Sequence, residues 1–201
     1  MGKELEYKLE VGDIQLLDQI MADPRLEALA AEPFIETAMR TEYYDAADSR
    51  FSRRHWTLRK RQEGRNSVVC VKTPTGESHT RGEWEIHSEV LDDRAIVRLV
   101  EAGAPKELLF LYGLGDVEPV CGAKFLRQHR MLRFPDGSEA ELACDRGVLV
   151  GKTEQLPLCE MELELYKGAP EEMLRLVRYL CDTYALKEQP KSKVARARSL
   201  K

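Results

Sequence analysis

An α+β fold built around a largely antiparallel sheet is what this sequence predicts, on three observations. Apolar and charged residues alternate with period two in one segment after another, the signature of strands wetted on one side. Four longer stretches instead space their apolar residues as a helix does. The alternating segments are separated by short turns bearing Gly, Pro and Asn, so sequence neighbours are expected to pair.

The first strand is KELEYKLEV (3–11), with Glu4, Glu6, Lys8 and Glu10 on one side and Leu5, Tyr7, Leu9 and Val11 on the other. Asp13 caps a helix predicted to run to about Leu29 through Ile14, Leu17, Ile20 and Met21, kinked or split by Pro24. Strands follow at 41–48, 55–62, 67–74 and 81–90. A helical middle comes next, 92–103 ending at Gly103 and 105–113 starting at Pro105. Three more strands are expected at 124–134, 138–145 and 158–165, the first two joined by a hairpin turn at Pro135-Asp136-Gly137. Residues 169–185 form the last helix, and the remaining segment, 186–201, is basic and poor in core residues.

Hydrophobic residues make up 43% of the 201 residues and charged residues 33%, yet the formal net charge is only −4. Charge is abundant but balanced, so its arrangement matters more than its sum, and general nucleic-acid binding is not expected. The basic run 50–61 does not change this, because alternation divides it between two faces. No run approaches the roughly 20 apolar residues of a membrane helix, and the acidic start does not resemble a secretory signal. Cys70, Cys121, Cys144, Cys159 and Cys181 are odd in number and lack CxxC spacing, which reads as reduced structural thiols in a cytoplasmic protein. The expectation is one domain over 1–201, with no membrane or nucleic-acid partner.

The charged faces recur. Arg59 and Arg61 share one, Arg81, Glu83, Glu85 and His87 another, Glu139, Glu141 and Asp145 a third, and Glu160, Glu162 and Glu164 a fourth. Any one of these is the ordinary wet side of an antiparallel sheet. As a set they are sorted by sign, whereas a surface made for solubility intersperses signs. Like carboxylates crowded on one strand repel unless a cation lies between them. If the sheet closes, with helices outside, these faces line a lumen. Such a lumen holds water, hard cations on its acids and phosphate oxygens on its bases, since uncompensated buried charge costs several kcal/mol per ion.

ELEYK (4–8) resembles the ExExK signature of the CYTH superfamily, the triphosphate tunnel metalloenzymes. The resemblance continues in order through YYD (43–45), LRKR (58–61), VKTP (71–74), RGEWE (81–85), ACD (143–145), CEMELEL (159–165) and SK (192–193). It implies an eight-stranded antiparallel closed β-barrel, a tunnel with helices packed outside, using Mg²⁺ or Mn²⁺. By position, Glu4, Glu6, Glu160 and Glu162 would be metal ligands, and Glu4, Glu6 and Lys8 the catalytic group. Lys8, Arg59, Arg61, Lys72, Arg81, Arg127 and Lys193 would hold phosphates, with Glu83, Glu85 and Asp145 as further tunnel acids. His129 stands where bacterial triphosphatase relatives often carry lysine.

The implied activity is hydrolysis of inorganic triphosphate, or a related triphosphate-containing small molecule, to diphosphate and phosphate. The alternatives are a class IV adenylyl cyclase making cyclic AMP and diphosphate from ATP, and a non-catalytic polyphosphate- or nucleotide-binding module. A homodimer is left open as the assembly. Gly151-Lys152-Thr153 is expected to be a strand-to-strand turn, since its spacing from Gly147 does not fit a P-loop and no helix follows. His55, His79 and His87 read as surface or lining residues, and Trp56 and Trp84 as packing beneath helices.

Overall fold

The computed structural model describes residues 2–200. In chain order the elements are β1 (Gly2–Glu10), α1 (Ile14–Met21), α2 (Pro24–Leu29), β2 (Ile35–Asp45), β3 (Thr57–Glu63), β4 (Asn66–Pro74), β5 (Thr80–His87), α3 (Asp93–Glu101), α4 (Glu107–Gly113), β6 (Glu118–Arg133), β7 (Glu139–Val150), β8 (Gln155–Lys167), α5 (Glu171–Tyr184), β9 (Lys187–Glu188) and α6 (Lys193–Arg198).

The sheet runs β5-β4-β3-β2-β6-β7-β8-β1, and β1 also pairs with β5, so eight antiparallel strands close on themselves. Leu5 is the hinge of that closure, opposite Thr80 on one side and Leu165 on the other. Beyond β5, the short β9 continues alongside β1 at Leu9 and Glu10. Closure removes the open edges that a curled sheet would otherwise expose.

The apolar faces point outward into two helix-covered cores. Leu9, Leu132, Leu142, Cys144, Met161 and Leu163 pack under α1, α2 and α5 through Leu17, Ile20, Leu26, Met173, Leu176 and Leu180. Leu58, Val69 and Val71 pack under α3 and α4 through Ile96, Leu99, Leu108 and Leu111, with Trp56 and Trp84 against the same cluster as expected. A third apolar cluster joins Met39, Ala123, Phe125, Leu149 and Leu158 to Ala197 of α6.

Differences from the expected elements have local causes. Pro24 splits the first helix, because Asp13 caps α1 through the Leu16 N–H while Asp23 caps α2 with Pro24 just inside it. β2 begins at Ile35, six residues early, and β6, β7 and β8 extend well past the segments whose alternation is clean. Partner strands hold those extensions, which local periodicity does not report. The C-terminal segment is not free of core residues: α6 buries Ala197 completely. Cys144 is an outward core residue, but Cys70 faces the barrel interior. The thiols are all free.

Asp23 fastens α2 to α5. Its Oδ1 accepts from the N–H groups of Arg25 and Leu26 at 2.7 and 3.3 Å, and its Oδ2 accepts from the hydroxyls of Tyr179 and Tyr184 at 3.0 and 2.6 Å. Burial pushes this carboxyl up, but the bonds from Tyr184, Arg25 and Tyr179 outweigh it and hold it below the ordinary aspartate value of 3.8. Asp23→Ala is expected to destabilise the fold by about 2 kcal/mol at pH 7. Because the folded value is depressed, the contribution is present above 3.8 and fades as pH falls through the folded value. Urea denaturation of both proteins at falling pH should show the difference narrowing below about pH 4; a constant gap would assign the loss to packing instead.

Candidate active site

The barrel interior holds a cavity of about 620 Å³. Period-two alternation puts Glu4, Glu6 and Lys8 of β1 on its wall, together with Arg59 and Arg61 of β3, Lys72 of β4, and Arg81, Glu83 and Glu85 of β5. Arg127 of β6, Glu141 of β7, Glu162 and Glu164 of β8 and Lys193 complete the charged lining. Seven acids face seven bases, so the lumen is neutral in sum, and what it binds depends on how the charges are grouped.

At the end where β1 meets β5, Lys72 Nζ lies 2.7 Å from both oxygens of Glu4 and 3.0 Å from Glu83 Oε2. Glu83 Oε1 accepts from Arg59 Nη2 and from Cys70 Sγ, each at 3.0 Å. Burial, helped by hydrogen bonding to Glu83, pushes Glu4 up to about 10 even with Lys72 opposing. For Glu83 the effect of Lys72 and Arg59 exceeds that of burial and holds it well below its usual value. The two carboxyls therefore keep a proton between them. Burial also raises the Cys70 thiol to about 12, so it stays protonated and donates.

Deeper in the bore, Arg127 forks onto Asp145 at 2.8 and 2.7 Å and reaches Glu162 Oε2 at 2.6 Å. Lys193 Nζ lies 2.8 Å from Asp145 Oδ2, 2.8 Å from Glu162 Oε1, and against Glu160. Arg196 covers the other oxygen of Glu160. Lys8 Nζ is 2.8 Å from Glu6 and 3.6 Å from Glu162. Burial disfavours each ion here, but mutual attraction prevails: Lys193 is held well above its normal value by Asp145, Glu162 and Glu160. Glu162 is held well below its own by Lys193, Lys8 and Arg127.

Between these two ion-paired groups the register lines up acids alone. Glu6 sits opposite Glu164, and Glu164 opposite Glu141. Burial, then repulsion from Glu6, Glu83 and Glu141, pushes Glu164 up to about 7 against the pull of Lys72. Glu6 Oε1 is buried and lies 2.8 Å from Lys8 Nζ. A row of three carboxylates supplies the hard oxygen donors that suit a divalent cation.

Of the residues that sequence reading singled out, Glu4, Glu6, Lys8, Arg59, Arg61, Lys72, Arg81, Glu83, Glu85, Arg127, Glu162 and Lys193 share one cavity. Asp145 and Glu160 are fully buried behind its wall, covered by Arg127, Lys193 and Arg196. Their oxygens lie within 4.8 Å of those of Glu162. His129 pairs with Glu141 at 3.2 Å rather than lining the cavity. Sequence reading placed Glu141 and Glu164 on charged faces but gave them no part. It quoted Tyr43 within YYD but gave it no part, though Tyr43 lines the cavity, and it passed over Arg196. Alternation was the available signal for the two acids; Arg196 follows only from where α6 docks.

The CYTH domain family description matches residues 2–197. The chain belongs to the CYTH domain family. Solved structures of the same shape include HpAC1 from Hippeastrum, provisionally assigned as an adenylyl cyclase and described as having a dominant triphosphatase activity. It is 16% identical with a TM-score of 0.64, and 98% of this chain and 96% of that one are covered. PH1819 from Pyrococcus horikoshii OT3 is 17% identical with a TM-score of 0.56, covering 96% of this chain and 97% of that one. The bh2851 protein of Bacillus halodurans, provisionally assigned as an adenylate cyclase, is 13% identical with a TM-score of 0.56 over 96% of each chain. At these identities the likeness shows the fold. Among the described residues of this CYTH domain no helix is long and apolar enough to cross a membrane.

Lys193→Met should leave Asp145, Glu160 and Glu162 without their shared ammonium. The expected loss is about 3 kcal/mol, or a Tm lower by roughly 6–12 °C, and millimolar Mg²⁺ or Mn²⁺ should restore much of it. A Tm that does not respond to either cation would count against a cation site at these acids.

Proposed function

We propose that this CYTH domain is a metal-dependent triphosphatase that hydrolyses inorganic triphosphate, or a closely related triphosphate, to diphosphate and phosphate. The observation that carries the reading is the meeting of carboxylates from β1 and β8 with arginines and lysines from β3, β4 and β6 on one enclosed cavity. Phosphoryl transfer asks little covalent chemistry of a protein. It needs charge neutralised on the transferred group and leaving group, and water held in line with the leaving oxygen.

The assignments follow from the chemistry of each group. Glu4, Glu6 and Glu162 would hold the cation, with Glu160 behind them as a fourth carboxylate. A bound Mg²⁺ or Mn²⁺ would neutralise phosphate oxygens and raise the electrophilicity of the phosphorus. Arg59, Arg61, Arg81 and Arg127 suit phosphate oxygens because a guanidinium fork can grip two at once, while Lys8, Lys72 and Lys193 act as point charges. The remaining acids, Glu83, Glu85 and Asp145, orient those bases.

Without cargo the bases are already engaged, Lys72 by Glu4 and Glu83 and Arg127 by Asp145 and Glu162. Binding would therefore be an exchange of partners: the carboxylates would hold the cation, and the cationic groups they release would hold phosphate oxygens. Water then attacks the terminal phosphorus, forming one P–O bond as the bridging P–O bond breaks, with a tunnel carboxylate orienting the water and taking its proton. ATP cyclisation is the second reading, favoured by the apolar rim of the same cavity, where Trp84, Leu165 and Tyr166 offer a surface for a base.

Glu4→Gln and Glu6→Gln, each checked for an unchanged circular dichroism spectrum, should lower phosphate release from tripolyphosphate by about 100-fold or more. Full activity in either variant overturns the metal assignment. Product identification from tripolyphosphate and from ATP, with each cation, decides between the two reactions. Cyclic AMP with diphosphate, and no turnover of tripolyphosphate, would replace the hydrolase reading.

A further inference from the structure

Arg59 is lightly held compared with its neighbours on the cavity wall. Lys72 lies between both oxygens of Glu4 and Oε2 of Glu83, and Arg127 reaches Asp145 twice and Glu162 once. Among the described residues Arg59 has one ion-pair partner, with Nη2 donating to Glu83 Oε1 at 3.0 Å, and its buried Nε has none.

That single oxygen is shared. Cys70 Sγ also lies 3.0 Å from Glu83 Oε1. Alternation along β4 sends Val69 and Val71 outward into the core beneath α3 and α4, and turns Cys70 inward on the side of Lys72. Cys70 stands opposite Arg59 of β3 and Glu85 of β5, while Glu83 is one inward position along β5, opposite Lys72. The thiol has no exposed surface. Because an ionised carboxylate only accepts, the S–H is the donor. An aliphatic side chain would suit the run of valines around Cys70 but would offer Oε1 nothing.

Glu83 thus has three donors, Arg59, Lys72 and Cys70. Two of them are the bases assigned above to phosphate, and the thiol alone has no part with cargo. When Arg59 turns to phosphate, Oε1 would lose its other donor, and a buried charged oxygen stripped of donors is costly. The thiol removes that cost, since it stays on Oε1 after the guanidinium has gone. It also weakens the hold beforehand, because two donors divide the charge of one acceptor.

We propose that Cys70 is a positioning residue of the phosphate site, acting through Glu83: its thiol keeps Glu83 Oε1 satisfied while Arg59 is released to phosphate. The proposal rests on the polyphosphate reading of the cavity and adds a residue that the reading does not use.

Calorimetric binding to the full-length protein with Mg²⁺ tests it, with imidotriphosphate as the probe because its nitrogen bridges resist hydrolysis. Cys70→Ala should bind the probe about fivefold more weakly than the wild type, the scale of one modest hydrogen bond. Cys70→Val, which also lacks a donor and fills more of the space, should show the same loss. Cys70→Ser keeps a donor and should bind within about twofold of the wild type, or more tightly. In the Glu83→Gln protein, whose acceptor is uncharged and no longer forms an ion pair with Arg59, Cys70→Ala should cost less than about twofold. Unchanged affinity in the Ala and Val variants, or an equal loss in Cys70→Ser, overturns the proposal. A loss that persists at about fivefold in the Glu83→Gln background overturns it too, because the thiol would then act by packing alone. Probe binding with this pattern, but no phosphate release from tripolyphosphate, would keep the role of Cys70 and remove the triphosphatase reading. No binding by the wild type would remove both.

Discussion

An ionised side chain cannot stand alone inside a protein, and this barrel places fourteen charged side chains on one internal cavity. Everything else in the structure answers to that constraint. The helices must lie outside, because the apolar faces are the only ones left to cover. The sheet must close, since an open one would leave the ionic face merely wet and impose no pairing. Acids and bases must alternate around the circumference closely enough to satisfy one another, as Lys72 does between Glu4 and Glu83.

Compensation is incomplete at one level, and that is where function enters. Glu6, Glu164 and Glu141 meet in register, three carboxylates against the ammonium of Lys8 on Glu6 and the imidazole of His129 on Glu141. Burial and mutual repulsion keep Glu164 near 7, far from an ordinary glutamate. A site that is slightly short of positive charge, flanked by bases that are only provisionally occupied, is poised to accept a cation and an anion together. The stability of a buried ion pair over a hydrophobic substitute is modest at best, so exchanging such pairs for cargo is thermodynamically within reach.

Much of this was legible in the chain. Alternation put Glu4, Glu6, Arg59, Glu83 and Glu162 on the charged faces of their strands, because side chains of a strand alternate with a period of two; that those faces turn inward was an expectation of sheet closure and of the family resemblance. Strand lengths were not legible, since β6 and β8 are extended by partners far away in sequence. Asp145 and Glu160 lie on the right face but one layer deeper than a simple lining, covered by cations from α6. That covering was out of reach, because a short basic segment has no periodicity to show that Ala197 seats among Phe125, Leu149 and Leu158. Cys70 looked like one more small hydrophobe within a β-branched run; only the partner strand reveals Glu83 as its acceptor.

The first strand of the domain is the one that completes the ring. β1 finds its neighbours in residues 80–83 and 160–165, so the barrel's closing seam unites parts of the chain that are distant in sequence. Contacts of such high sequence separation form slowly. Until they form, the exposed interior of the unclosed sheet is glutamate, lysine and arginine rather than leucine and valine. The same lining that later handles cargo thus keeps the half-built barrel from adhering to other unfinished chains, a hazard that long unpaired apolar sheets meet during assembly.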